Sequence, residues 1–327
     1  MRVAFILNEQ QEENYAKKHL DGHQVDFYAF GTPVADVAEE TEVLCVFIHT
    51  EISGEILAGF PQLKHIATRS TGFDHIDLGY CKRHGISVSN VPSYGERTVA
   101  EYAFALLLSL TRKVREGSER LQKAHSSDLD NLRGVDLFGK TLGIVGTGKI
   151  GRNAGHIGKG FGMNLLAYDV YPNQQWAQEL GVTYVSLEEV YRSADVLTFH
   201  APYNNETHHL MAVKHLDMLK KGVLVVNTAR GALIETAALI QGLESGLIAG
   251  AALDVYEHEE IITKQVSELS PELLVLRKEL DALLANSRVV MTAHNAFNTH
   301  EAIERILATA CANIVGFANG SPQNLII

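Results

Sequence analysis

Thr141-Leu142-Gly143-Ile144-Val145-Gly146-Thr147-Gly148-Lys149-Ile150-Gly151 decides how the rest of the chain is read. Its first five residues form a short apolar run of strand type, and the next six are a GxGxxG loop. Ile150, Ala154, Ile157 and Phe161 then recur at helical spacing. A strand, a glycine loop and a helix in that order give each glycine a physical task. Gly146 permits the tight turn, Gly148 lets the backbone approach a pyrophosphate, and Gly151 lets the helix pack close to the strand. The helix N-terminus adds N–H groups and a partial positive charge that suit an anion.

Alone, GxGxxG is weak, because many glycine-rich turns bind nothing. Asp169 strengthens it. It closes the next apolar run, Leu165-Leu166-Ala167-Tyr168, close to the ~20-residue offset at which a carboxylate accepts from the ribose hydroxyls of a dinucleotide. An ordinary strand-terminal aspartate is the plainer alternative. No Arg or Lys follows in Val170-Tyr171-Pro172-Asn173 to receive a 2′-phosphate, so NAD is expected rather than NADP. The loop's expected cofactor contacts are Gly146, Gly148, Lys149, Ile150 and Gly151.

On both sides of this unit, short apolar runs alternate with helical patterns, which argues for parallel α/β architecture. Strands are expected at residues 3–7, 24–28, 43–49, 65–68 and 86–89 before the loop. Further strands are expected at 141–145, 165–168, 183–185, 196–199, 223–227, 248–253 and 289–292. A long helix is expected over 98–119, with Val99, Ala103, Leu106, Leu107 and Leu110 on one face. The Pro/Gly segment Asn90-Val91-Pro92-Ser93-Tyr94-Gly95 before it looks like a crossing between domains. The polar stretch 125–139 reads as an arm or a surface loop. A final helix over 301–319 is expected to pack on the N-terminal domain and so make that domain discontinuous.

A chain of 327 residues suits two domains of ordinary size. Apolar residues make up 46% and charged residues 20%, enough for large cores and against disorder. The formal net charge of −11 disfavours nucleic acid and anionic membrane as general partners. Cys45, Cys81 and Cys311 are too few and too far apart for a disulfide framework or a CxxC metal site. The first apolar run soon gives way to polar residues, too short for a signal peptide's core. No run approaches the ~20 residues needed to span a bilayer. A cytoplasmic location is the expectation, with no bound metal.

In an open parallel sheet the carboxyl ends of the strands share one edge, and ligands bind there. Arg230 follows the strand 223–227, Glu259 lies beyond 248–253, and His294 follows 289–292. Together they suit oxidation of a 2-hydroxy acid. A histidine takes the hydroxyl proton because its ordinary pKa lies near working pH. A carboxylate fixes its tautomer and stabilises imidazolium. A guanidinium grips a substrate carboxylate at two points, and a nicotinamide takes the hydride. Each has a duller reading: one of 15 histidines, an acid in the charged loop 257–260, a surface arginine at a helix start. The adjacent His208 and His209 read as surface residues rather than metal ligands.

Several segments form a joint signature: Arg69-Ser70-Thr71-Gly72-Phe73-Asp74-His75-Ile76-Asp77, Asn90-Val91-Pro92-Ser93-Tyr94, residues 146–151, 227–231 and 254–259, and Thr292-Ala293-His294-Asn295-Ala296-Phe297. Carrying them, the chain resembles the D-isomer-specific 2-hydroxyacid dehydrogenase family over almost its full length, and within it the lactate-type members. The resemblance implies two doubly wound parallel-sheet α/β domains with the active site in the cleft between them. A flavodoxin-like substrate domain would cover residues 1–97 and 295–327, and a Rossmann-like NAD domain 98–294. It implies Arg230 as carboxylate binder, His294 as acid/base and Glu259 as its partner. Thr71, Gly72, Tyr94 and Phe297 would meet the substrate; His200, Pro202, Thr207, Ala229, Asp254 and His294 would border the cofactor. Family members usually pair as homodimers through the helix matching 98–119; a helix buried within one chain is the alternative.

Two departures stand out. The usual proline before the histidine is Ala293, which removes no functional group. The stretch from Glu259 to His294 is long and reads as amphipathic helix over 272–284, as in lactate-type members. No regulatory domain is expected after the final helix, against the phosphoglycerate-type enzymes, and Glu259 rather than Gln argues against the formate type. The expected reaction is reduction of a small 2-keto acid, pyruvate first, by NADH and its reverse. Hydroxypyruvate or glyoxylate reduction is the nearest alternative. A dinucleotide-sensing corepressor is the alternative of another class, disfavoured by the acidic charge and the lack of disordered tails.

Overall fold

The computed structural model describes residues 1–7, 9–48, 51–262 and 264–327, apart from the side chains of Glu260 and Glu268. The chain divides into two compact units, Met1–Tyr94 with Asn298–Ile327, and Gly95–Phe297.

In the first unit β1 (Arg2–Ile6), β2 (Gln24–Tyr28), β3 (Val43–Val46), β4 (His65–Thr68) and β5 (Ser87–Ser89) form a parallel sheet in the order β2-β1-β3-β4-β5. That is the flavodoxin-like order. Every residue of β3 and β4 is buried, as central parallel strands covered on both faces must be. On one face the helices Gln10–His19 and His300–Ala318 share a core with Val3, Phe5 and Cys45. On the other, Leu44, Val46 and Ile66 pack with Leu57 and Cys81 of two short helices, Gly54–Leu57 and Leu78–His84. A polar ring inside, His65, lies between the Ser87 and Ser89 hydroxyls at 2.8 and 2.9 Å and stacks on Phe317. Burial pushes it down to about 4, so it is neutral.

The second unit holds β6 (Thr141–Val145), β7 (Asn164–Tyr168), β8 (Val182–Tyr184), β9 (Val196–Phe199), β10 (Val223–Asn227), β11 (Ile248–Leu253) and β12 (Val289–Met291). All are parallel, in the order β12-β11-β10-β9-β6-β7-β8. The chain starts at the centre, winds out through β7 and β8, returns, and winds out the other way from β9. The reversal between β6 and β9 is the switch point at which doubly wound sheets bind ligands.

Strand ends match the sequence expectations or differ from them by one residue, except in β3, which stops at Val46; His49 of the expected run lies outside the described residues. The expected helix over 98–119 is two helices, Glu96–Arg112 and Val114–Ala124, with Lys113 between them in the left-handed region at φ 54°. Periodicity could not show this break, because a distant segment makes it. The Val135 N–H takes the Thr111 carbonyl at 3.0 Å, and the Thr111 hydroxyl donates back to Leu107 at 2.8 Å. The first of the two helices buries Ala100, Ala103, Leu107 and Leu110 in the second unit's core. The second buries none of its residues.

Candidate functional site

β6 ends at Val145, and Gly146 turns the chain at φ 93°, a conformation that side-chain-bearing residues rarely adopt. A Cβ there would lie 2.6 Å from the Ala201 nitrogen, so the loop sits directly against the chain leaving β9. On Gly151 a Cβ would lie on the Gly146 carbonyl, so only glycine brings the helix Lys149–Gly160 this close to its strand. Gly148 differs: a Cβ there would meet nothing within 4 Å, and no side chain caps the helix. The loop therefore presents the helix's first amides to open space, the donor set a pyrophosphate needs. These residues fit a dinucleotide.

Around the same edge, Asp169 follows β7 and His200 follows β9. His200 is buried and pushed down to about 4, hence neutral. One ring nitrogen lies 2.9 Å from the Thr198 hydroxyl, and the other, Nδ1, is buried with no partner among the described residues. Pro202 opens an exposed loop braced by Thr207, whose hydroxyl donates to the Pro202 carbonyl at 2.7 Å and accepts the Asn204 N–H at 2.7 Å.

Arg230 follows β10 in a turn built by the buried Asn227. The Asn227 amide accepts the Ala229 N–H at 3.1 Å and donates to the Arg230 carbonyl at 2.9 Å. Asn227 was not singled out from sequence, although an Asx residue ending a strand is a turn signal. The Arg230 guanidinium donates to the Ala229 carbonyl at 2.8 Å. A Cβ on Gly231 would lie 2.2 Å from the Tyr256 carbonyl carbon, so the arginine loop rests on the loop after β11 backbone to backbone.

That neighbouring loop carries Asp254, Glu257 and Glu259. Asp254 is fully buried, and its carboxylate accepts from the Thr292 hydroxyl at 2.6 Å and from the Asn295 and Ala296 N–H groups at 2.8 Å each. The resemblance implied that it borders the cofactor; its side chain holds the loop after β12. On that loop His294 stands at φ 51°, its N–H bonded to the Asp254 carbonyl at 2.9 Å. Its Nδ1 lies 2.8 Å from Glu259 Oε1, while Glu259 Oε2 is buried with no partner among the described residues. As a carboxylate Glu259 can only accept, so Nδ1 carries the hydrogen in that pair.

Within the acidic run 257–260, Glu257 and Glu259 are not the solvated charges the composition suggested. Glu257 accepts from His209 Nε2 at 2.6 Å and from the Thr236 N–H and hydroxyl at 2.6 and 2.8 Å. Burial pushes the Glu257 carboxyl up, but these partners together hold it below the ordinary value. The surface reading of His209 is corrected with it: His209 is half-buried and paired, while His208 is exposed and stacked on it at 3.8 Å. No sequence spacing links residues 209 and 257, so this pairing was not legible. Among the described residues no group of three or more His, Cys, Asp or Glu side chains is placed to hold a metal.

In the first unit, Thr71 and Gly72 follow β4. The Thr71 hydroxyl donates to the Val91 carbonyl at 2.8 Å, Asn90 donates to the Thr71 carbonyl at 2.8 Å, and Ser70 to that of Gly72 at 2.6 Å. Two signature segments, 69–77 and 90–94, are thereby joined, and Arg305 holds the Tyr94 carbonyl at 2.6 Å. Beneath them Arg69 is fully buried, 2.8 Å from Glu12, and lies over Phe5 at 5.0 Å. Phe297 ends the second unit.

The model of the family described as "D-isomer specific 2-hydroxyacid dehydrogenase, NAD binding domain" matches residues 104–296. D-lactate dehydrogenase from Escherichia coli is 35% identical over the full length of both chains. Glyoxylate reductase from Aeropyrum pernix is 36% identical over 88% of this chain and 84% of its own. The crystal structure of D-lactate dehydrogenase from Aquifex aeolicus with NAD and lactic acid superposes with a TM-score of 0.87 at 35% identity, covering 98% of this chain and 96% of that one. Sequence signature, sheet order and these likenesses agree: the chain belongs to the D-isomer-specific 2-hydroxyacid dehydrogenase family and is an NAD-dependent oxidoreductase.

Proposed function

We propose that the protein is a D-lactate dehydrogenase that reduces pyruvate to D-lactate and runs the reverse reaction. The observation that carries this reading is the 2.8 Å His294–Glu259 pair, on the sheet edge that also presents Arg230 and the glycine loop. When bound, NADH supplies the hydride for the substrate's C2. Gly146, Gly148, Lys149, Ile150 and Gly151 hold its pyrophosphate, and Asp169 accepts from its ribose. His200, Pro202, Thr207 and Ala229 border it, Asp254 through its backbone.

Arg230 grips the substrate carboxylate at two points and so turns the keto carbon toward the hydride. His294 Nε2 gives its proton to the oxygen that becomes the hydroxyl, and Glu259 stabilises the imidazolium that precedes this transfer. In the oxidative direction the same nitrogen removes the hydroxyl proton. Thr71, Gly72, Tyr94 and Phe297 match the family's substrate-binding positions and are assigned that role. The full-length likeness to two D-lactate dehydrogenases favours pyruvate; the Aeropyrum relative keeps hydroxypyruvate and glyoxylate as the second reading.

A panel of pyruvate, hydroxypyruvate and glyoxylate, read as NADH oxidation with chiral analysis of the product, separates the two. Pyruvate should give the highest kcat/KM and the D product. A tenfold preference for either of the others, or an L product, would overturn the assignment.

The protein is further proposed to act as a homodimer in the cytoplasm. The helix Val114–Ala124 and the arm after it expose Val114, Leu121, Leu129, Val135 and Phe138, the last 81% exposed, an apolar surface suited to a second copy. Sedimentation should give twice the chain mass; a monomer at micromolar concentration would refute pairing. All three cysteines are free and buried, as suits a reducing compartment, and among the described residues no helix is long and apolar enough to cross a membrane.

A further inference from the structure

Asp169 is held by its own fold on both carboxylate oxygens. Oδ2 accepts from the Thr147 backbone N–H at 2.5 Å and from the Thr147 hydroxyl at 3.0 Å, and Oδ1 accepts from the Tyr171 N–H at 2.8 Å. The Thr147 hydroxyl also lies 2.8 Å from the Tyr184 hydroxyl, at the end of β8. Tyr184 in turn accepts the Asn173 N–H at 3.1 Å. Thr147 is 2% exposed, so solvent does not compete for these bonds.

The direction of each bond follows from the groups themselves. A backbone N–H only donates, and a carboxylate only accepts. The single hydrogen of the Thr147 hydroxyl therefore goes to Asp169, and its oxygen must accept from Tyr184. The Tyr184 hydrogen is thereby used, which leaves its oxygen for Asn173. The relay runs one way, from Asn173 through Tyr184 and Thr147 to Asp169, with each link polarising the next.

A carboxylate that selects against a 2′-phosphate does so only while it cannot turn away. A strand-end aspartate without such partners would rotate to another rotamer and relieve the repulsion. We propose that Thr147 and Tyr184 are specificity-determining positioning residues, and that their relay, not Asp169 alone, sets the preference for NADH over NADPH. This rests on Asp169 as the ribose acceptor.

The test measures dissociation constants of NADH and NADPH without substrate, by fluorescence titration, for Thr147→Val, Thr147→Ser, Tyr184→Phe and Asp169→Ala. Each fold is checked by its thermal melt. Thr147→Val and Tyr184→Phe should each move the NADPH-to-NADH ratio at least fivefold toward NADPH. Thr147→Ser keeps the hydroxyl and should stay within twofold of the parent, and Asp169→Ala should shift the ratio most. If Asp169→Ala shifts the ratio while Thr147→Val and Tyr184→Phe do not, the relay has no selective role and the Asp169 assignment stands. An equal loss of both cofactors in the relay variants would mark a structural role only and also overturn the proposal. If Asp169→Ala itself leaves the ratio unchanged, the ribose assignment falls and the relay with it. Tyr184 is only half-buried, so its variant carries the test even where Thr147→Val folds poorly.

Discussion

His294→Ala should lose about a thousandfold in kcat for pyruvate reduction, the middle of the range that a positioned general acid contributes, while NADH binds within twofold of the parent. The loss follows from geometry. Glu259 accepts the Nδ1 hydrogen at 2.8 Å, so proton exchange falls to Nε2. His200, which follows β9 on the same sheet, is held neutral by burial at about 4. One structural complication is foreseeable. His294 stands at φ 51°, which alanine adopts only with strain. His294→Asn supplies the control, because asparagine tolerates that conformation and cannot act as the acid. Both variants should fail alike in turnover, and the asparagine variant should melt closer to the parent. Turnover within tenfold of the parent in the asparagine variant would sink the acid/base assignment.

The sequence showed most where local pattern and tertiary structure agree. The run 141–151 folds as strand, loop and helix because its apolar residues, its glycines and its helical spacing demand the same geometry. Arg230, Glu259 and His294 reach one edge because β10, β11 and β12 are parallel, which the alternation of apolar runs and helical patterns implies without a structure; that the three strands are also adjacent is visible only in the sheet order. Interactions between residues far apart in the chain were not legible. The break at Lys113 depends on the arm's Val135 N–H, 22 positions on. The His209–Glu257 bond joins residues 48 apart, and the Arg69–Glu12 pair buries two charges that composition alone would place at the surface. Asp254 shows a third kind of gap: its position was identified, but which groups its carboxylate serves depended on the loop path after β12.

Arg230→Lys should lower kcat/KM for pyruvate about a hundredfold, the effect of losing one charge-assisted hydrogen bond and the orientation it enforces. The charge survives this substitution, so any loss measures geometry rather than attraction. In the parent, Asn227 bonds both flanks of the Arg230 turn and the guanidinium donates to Ala229, so the fork is fixed before substrate arrives. A lysine ammonium is a compact point charge on a flexible stem, and it cannot hold both carboxylate oxygens in one plane. Pyruvate should then bind in several orientations, few of which present C2 for hydride transfer, so kcat should fall along with a rise in KM. A ketone lacking the carboxylate separates this role from general damage. It makes no use of the grip, so its slow reduction should be the same in parent and variant. A matching loss for that ketone would place the defect in the cofactor site or the fold, and Arg230 would no longer be the carboxylate binder.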